Sequence, residues 1–372
     1  MNRLLYLFTF FTFSLLLAVG CSKKEIEVTD DRSSVEEEVE VTPPAEENLE
    51  VVPNPFDGEP NFFIGFYNVE NLFDIYNDPE KNDDDFTPSG KLKWDTERYN
   101  NKLNNISRAI KAIGNNGPSI IGLAEIENKK VLEDLIKTEN LSSLDFGIIH
   151  KEGPDRRGID NALLYRKESF ELLETDFTTI LFPFSSNSRT RDILYAKGLV
   201  GKDTLHVFVN HWYARFSGGS SDRYRIWCAR ILESLINPIV KKNPKSNIVI
   251  MGDFNDNPDN ASMLYYLKAN EIPDKVKINK LYNLSFDAYN KGNGTLYYDG
   301  WNYFDQMIVS GNILGNQEND FKITSLDATI LNDDFLMYTS STGKKPSRTY
   351  SGSRYYGGYS DHLPVFIGLS VE

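Results

Sequence analysis

The chain has 372 residues, 40% hydrophobic and 13% aromatic, enough to bury a sizeable core in one large domain or two small ones. Its 40 basic against 54 acidic residues give a formal charge of −14, and no basic patch marks it as a passive nucleic-acid binder. Two cysteines, Cys21 and Cys228, exclude a disulfide framework.

Met1 to Cys21 reads as a secretory signal, with Asn2-Arg3, an apolar run from Leu4 to Val19, and then Gly20-Cys21. That run is interrupted by Thr9, Thr12 and Ser14 and is short for a permanent span. Ala18-Val19-Gly20-Cys21 resembles a bacterial lipobox, which implies a mature chain anchored to a membrane through lipidated Cys21; ordinary cleavage and secretion is the alternative. Residues 22–60 hold thirteen acidic and three basic residues and few apolar ones, the composition of a disordered acidic tether. With these and Arg3 set aside, 41 acidic and 36 basic residues remain, so residues 61–372 carry little net charge. A site that holds phosphates through metal ions tolerates this, because the ions supply the positive charge.

From residue 61 the pattern alternates. Phe62–Tyr67 is a strand signal, and Tyr99, Leu103, Ile106, Ile110 and Ile113 set a helix over 96–113. Ser119–Ala124 is a buried strand and Val131–Ile136 a short helix; strand-like runs follow at Phe146–His150, Ala162–Tyr165, Ile193–Val200 and Leu205–Val209. A second long helix covers Arg223–Val240, where Cys228 reads as a small buried hydrophobe. Asn247–Met251, Phe304–Val309, Phe321–Thr324 and Val365–Leu369 complete the strands. Mixed strands with interspersed helices and no long linker imply one layered α/β domain over 61–372.

Polar groups stand at the ends of these apolar runs: Asn68-Val69-Glu70-Asn71, Glu125 with Glu127, Asn210-His211, Gly252-Asp253-Phe254-Asn255-Asp256, Asp305, and Ser360-Asp361-His362-Leu363-Pro364. A single carboxylate after a strand is usually a cap or turn residue. Six groups of oxygen and imidazole donors without cysteine form a different case, and suit Mg²⁺, Mn²⁺ or Ca²⁺.

At these residues, in order from Asn68 to His362, the chain resembles the endonuclease/exonuclease/phosphatase superfamily, which includes pancreatic-type deoxyribonuclease, abasic-site endonucleases, inositol-polyphosphate phosphatases and sphingomyelinases. Asn68–Asp74 further resembles a bacterial subgroup of secreted or surface members. The resemblance implies a four-layered α/β sandwich, two packed mixed β-sheets flanked by helices. It implies that Asn68 and Glu125 bind the metal with Asp361 nearby, and that Asp253 and Asn255 orient the attacking water and the phosphate. His362 is then the base or phosphate stabiliser, Asp305 its orienting carboxylate, and His211 a candidate general acid. For the partner of His211, position in the pattern suggests Asp160. Arg157, Arg191 and Arg215 are candidate phosphate contacts, and Trp212 and Tyr213 could stack on a base or pack in the core.

The expected activity is a monomeric nuclease using Mg²⁺ or Mn²⁺, with Ca²⁺ as a further candidate, on the bacterial cell envelope and facing periplasm or exterior. One alternative is a phosphoesterase for small phosphoesters, phospholipid head groups or inositol phosphates. The other is a non-enzymatic surface binding protein.

Overall fold

The computed structural model describes residues 49–215, 221–315 and 318–372. The secretory signal, Cys21 and most of the acidic tether lie outside the described residues.

Two βαβ units form the frame. In the first, strand β1 (Phe62–Leu72) leads through helix α1 (Thr96–Lys111) to strand β2 (Ile120–Ile126), parallel to β1. Helix α2 (Lys129–Ile136), strand β3 (Phe146–His150) and strand β4 (Asp160–Arg166) follow, and β4 runs antiparallel between β2 and β3. Strands β5 (Glu171–Thr178) and β6 (Ile193–Val200) lead into the second unit: strand β7 (Asp203–His211), helix α3 (Asp222–Lys242) and strand β8 (Asn247–Asp253), with β7 parallel to β8. Strands β9 (Leu281–Asn283), β10 (Asp305–Ser310), β11 (Phe321–Ile323) and β12 (Val365–Val371) finish the chain.

Among the described residues these strands form two seven-stranded mixed sheets. One runs β11-β12-β1-β2-β4-β3, with Thr329–Ile330 paired to β12; the other runs β9-β10-β8-β7-β6-β5, with Ala269–Asn270 beside β9. Alternate residues of each central strand bury on opposite faces, as the period of two requires. Ile64 and Phe66 of β1 pack with Val207, Val209, Val249, Met251 and Met307 of the other sheet. Phe63, Tyr67 and Val69 turn the other way, onto Leu103, Ile106 and Ile110 of α1. Beyond the second sheet, Phe208, Ile248 and Ile250 pack on Cys228, Leu232 and Ile236 of α3. Three apolar layers thus hold four structural layers, the α/β sandwich the sequence implied. Central strands covered on both faces read as unbroken apolar runs, which is why FFIGFY and NIVIM are so plain.

Three features differ from expectation. The body begins before residue 61: Glu50–Val51 pairs with Val276–Lys277, and the Asn54 and Phe56 amides donate to Leu314 and Ile323 carbonyls. Val51 packs on the inter-sheet core, so the acidic composition hid one short anchoring stretch. Strand β5 was not expected, because as an edge strand it leaves most of its side chains to solvent and carries no apolar alternation. The central strands also run further than their apolar runs. Asn68, Glu125, His211 and Asp253 lie within the last residues of β1, β2, β7 and β8, not beyond them.

Candidate active site

The carboxyl ends of the two parallel pairs face each other across the sandwich, the place where open α/β sheets assemble ligand sites. On the second sheet, register does the assembly. His211 is the direct cross-strand partner of Asp253, and Asp253 of Asp305, so three adjacent strands deliver an imidazole and two carboxylates side by side. On the first sheet, Asn68 pairs with Ala124, and the register is irregular between Ala124 and Ile126, where Glu125 accepts the Asn71 amide at 2.9 Å. Four non-glycine residues adopt the left-handed region here: Glu70 (φ 51°), Asn71 (55°), Glu125 (65°) and Asn255 (52°). Such conformations cost energy and persist where the surroundings over-determine them.

Asp253 is the hub. Its Oδ2 lies 3.0 Å from Asn68 Nδ2, 3.5 Å from His211 Nε2 and 3.8 Å from His362 Nε2. Its Oδ1 accepts the Asn255 amide at 2.9 Å, an Asx-type turn that folds Asn255 back beside it. The Asn255 side chain is then fixed by the Trp212 carbonyl at 3.1 Å, and Phe254 is buried edge-on against Trp212 with ring centroids 4.8 Å apart. The glycine of this motif has a steric cause: a Cβ on Gly252 would sit 2.3 Å from the Asn210 carbonyl oxygen of β7. Gly252→Ala is expected to lower the denaturation midpoint, by a loss of about 1–3 kcal/mol, and to lower activity with it, because the strain displaces Asp253.

The last motif crosses to meet this row. Ser360 Oγ donates to the Asn68 carbonyl at 2.7 Å and accepts the His362 amide at 3.0 Å, which ties the motif to the end of β1. Leu363 anchors it in the α1 layer. His362 Nδ1 then meets Asp305 Oδ2 at 2.7 Å, inside the sandwich.

Burial sets the protonation states against opposing charges. It pushes the Asp253 carboxyl up to about 6; His362 opposes the rise and Asp305 adds to it. Burial also disfavours charge on His362, but Asp305, Asp253 and Asp361 outweigh it and hold the imidazole well above its ordinary value. His211 goes the other way: burial first, then Arg191, Arg157 and His362, hold it well below, so it stays neutral. The carboxylates around His362 favour its charged form, and burial with the neighbouring arginines favours the neutral form of His211.

Asp160 does not join His211. Its Oδ1 accepts the Gly153 amide at 3.0 Å and its Oδ2 lies 3.9 Å from His150 Nε2, because β4 turns this side chain away at the strand's first residue. His211 Nδ1 has no hydrogen-bond partner, so the general-acid role expected of it lacks an orienting carboxylate. Asn68 Oδ1 accepts the Glu70 amide at 3.1 Å, which turns the side-chain NH₂ toward Glu125 (3.5 Å) and Asp253 (3.0 Å). Of the arginines, Arg191 is buried on Asp155 and the Trp212 carbonyl, Arg157 pairs with Asp155, and Arg215 braces the Asn255 carbonyl and Asp256. Trp212 is core.

Residues 63–371 match the Endonuclease/Exonuclease/phosphatase family. The chain belongs to that family. Its members are metal-dependent nucleases or phosphatases. Of the curated proteins, none matches the sequence significantly. Among solved structures, the human nocturnin catalytic domain with bound sulfate superposes with a TM-score of 0.52 at 16% identity, covering 86% of this chain and 98% of that one. TDP2 from Caenorhabditis elegans gives 0.50 at 14% identity, covering 87% of this chain and 76% of that one. A Bacteroides thetaiotaomicron mannosyl-6-phosphatase gives 0.49 at 16%, covering 83% and 99%. At these identities the likeness to the first two speaks for the fold alone.

The donor set fits the family's divalent cation. Glu125 accepts the Asn71 amide on Oε2 at 2.9 Å, while its Oε1 has only the long contact to Asn68. Glu70, Asp361 and Glu125 all favour charge on the buried Lys102 ammonium, and none of these donors is a thiolate. Asp253, Asp305 and His362 also bring ligand atoms within 4.8 Å of one another. There, however, the raised imidazole already balances the carboxylates, which leaves Glu125 and Asp361 as the candidates to hold a cation.

Two residues were missed from sequence. Arg348, its side chain 44% exposed, pairs with Asp361 at 2.7 Å and approaches Glu70 at 3.6 Å. Lys102 lies wholly buried under Glu70, donating to Thr349 Oγ1 and the Tyr359 carbonyl. A signal existed for it: position 102 falls on the apolar stripe of α1, three after Tyr99 and four before Ile106.

Proposed function

We propose that the protein is a divalent-metal-dependent phosphodiesterase that cleaves nucleic acid at the cell envelope. The observation that carries this is the pair of imidazoles, His211 and His362, whose Nε2 atoms lie 3.5 and 3.8 Å from a single carboxylate, Asp253, between the strand ends. A phosphodiester monoanion repels hydroxide, so its hydrolysis needs charge neutralised and a water aimed in line. Asp253 takes a proton from the attacking water, and Asn255 holds the phosphate. His362, protonated and steadied by Asp305, donates from Nε2 to the charge that develops on the phosphoryl oxygens. As the water oxygen bonds to phosphorus, the P–O bond to the leaving oxygen breaks; that oxygen takes a proton from solvent, and Asp253 returns the water's proton to solvent. His211 stands uncharged beside the same carboxylate. A cation held by Glu125 and Asp361 would supply Lewis-acid polarisation of the phosphate.

The rim supports a nucleic-acid substrate. Leu296 bridges to His362, and the hairpin it opens carries Tyr297, Trp301 and Tyr298, the last 78% exposed. Lys345 sits 3.9 Å from the Tyr297 ring centroid, so cation and aromatic face are interleaved at the cleft edge. Tyr298→Ala is expected to raise KM for a single-stranded oligonucleotide roughly tenfold, from lost stacking of about 1–3 kcal/mol, and to leave hydrolysis of bis(p-nitrophenyl) phosphate unchanged. Steady-state kinetics on the two substrates checks this. The envelope location rests on the signal and lipobox read from the sequence.

The test is a substrate panel with full-length protein: supercoiled plasmid, single-stranded DNA and RNA, soluble phosphomonoesters and phospholipids, each with Mg²⁺, Mn²⁺ or chelator. Metal-dependent cutting of nucleic acid is expected. Intact nucleic acid beside turnover of a small phosphoester or lipid would replace the proposal with the second reading, which the absence of a basic stripe favours.

A further inference from the structure

The loop after β1 and the turn after β2 enclose a cavity of about 130 Å³ that the proposed reaction does not use. Asp74, Asp78, Asp83 and Glu127 all line it. Each spends an oxygen on fixing the chain. Asp78 N–H donates to Asp83 Oδ2 (2.9 Å), Glu80 N–H to Asp78 Oδ1 (2.8 Å), Tyr76 N–H to Asp74 Oδ1 (2.7 Å) and Asp74 N–H to Glu127 Oε2 (2.6 Å). Asp74 spends both, its Oδ2 accepting from Asn128 Nδ2 at 3.2 Å. Asp83, which lines the cavity, is 1% exposed, and its Oδ1 has no hydrogen-bond partner among the described residues. Among the described residues, no Lys, Arg or His nitrogen pairs with any of the four carboxylates within 4.0 Å. Lys81 and Arg157 also line the cavity, but Lys81 Nζ donates to the Gly153 carbonyl at 3.1 Å and Arg157 pairs with Asp155 at 3.3 Å.

Four crowded carboxylates, one of them buried with an orphan oxygen, are costly without a counter-charge. All are hard oxygen donors with no sulfur or imidazole beside them, the ligand class of Ca²⁺. We propose that Asp74, Asp78, Asp83 and Glu127 form a second divalent-cation site, of the calcium type, that fastens the 74–85 loop to the strand end carrying Glu125. The space holds an ion with a few waters, taking about 30 Å³ for each water. The four carboxylates are not drawn to within 4.8 Å of one another, so the ion closes an open site and the loop contracts around it. The link to Glu125 is short. Asp74 Oδ2 accepts from Asn128 Nδ2 at 3.2 Å, and Asn128 caps α2 three residues after Glu125. Nothing here depends on the substrate assigned above.

The test uses chelator-stripped full-length protein, with calorimetric Ca²⁺ titration and thermal unfolding on the wild type, Glu125→Gln and Asp83→Asn. Expected is one Ca²⁺ bound by Glu125→Gln with a rise in Tm, and loss of both in Asp83→Asn, which in chelator melts no lower than the wild type because it lacks the buried charge. If Asp83→Asn gives no cooperative transition, Asp78→Asn provides the same readout. Absence of Ca²⁺ binding in Glu125→Gln would overturn the proposal, as would full binding in the folded Asp83→Asn or Asp78→Asn protein.

Discussion

Glu125→Gln is expected to lower phosphodiester turnover roughly 10²–10³-fold, about 3–4 kcal/mol of transition-state stabilisation, while the fold stays intact. The substitution keeps the side chain's length and one acceptor for the Asn71 amide, and disturbs only a 3.5 Å contact with Asn68. The positive φ of 65° is no worse for glutamine than for glutamate. What is removed is the charge that the cation needs, so calorimetric Mn²⁺ titration should lose one site in parallel with the rate. A variant that keeps full rate and full metal stoichiometry would remove Glu125 from the chemistry.

Asp305→Asn is expected to cost roughly 10²–10⁴-fold near neutral pH, the range of a lost general-acid or hydrogen-bond donor group, and to change the shape of the pH profile. In the wild type, Asp305 is the largest of the charges that raise His362 against burial. Without it burial prevails, and the imidazole loses its proton at lower pH. A role that needs the imidazolium is present below the histidine's pKa and lost as pH rises through it, so the alkaline limb of the profile should move to lower pH in the variant. Were His362 the base, its activity would appear above its pKa, and the variant would gain at low pH. The two limbs separate the roles. The same substitution has a stability signature. His362, raised in the fold, stabilises it fully below its unfolded value and progressively less as pH rises through the folded one, so the stability difference between wild type and Asp305→Asn should shrink with rising pH.

How much of this was legible in the sequence depends on which physics each feature uses. The helix α1 stripe, the buried runs of β1, β2 and β8, and the polar groups ending them are local periodicities, and they survive in the fold with boundaries shifted by a few residues. The row His211–Asp253–Asp305 is a fact of strand order and register, and neighbouring residues say nothing of it. Expecting Asp160 beside His211 failed for that reason: position in the pattern cannot tell to which side β4 turns its first side chain. Asn68 carries the right residue type, yet the Glu70 amide decides which end of its side chain faces the carboxylates. Lys102 was readable and passed over, a charge on an apolar stripe that becomes sensible only once Glu70, Glu125 and Asp361 arrive from elsewhere. Arg348 gave no signal. Strand β5 shows the opposite limit, because an edge strand open to solvent has no pattern to read.

The cation of the proposed reaction is gathered by Glu125 of β2 and Asp361 of the final motif, opposite the Asp253 row. Anomalous diffraction at the manganese edge from crystals soaked in Mn²⁺ tests it most directly. A peak in contact with Glu125 that disappears in Glu125→Gln is the predicted result. Manganese that avoids Glu125 in crystals of active protein, however strongly it binds elsewhere, would contradict it.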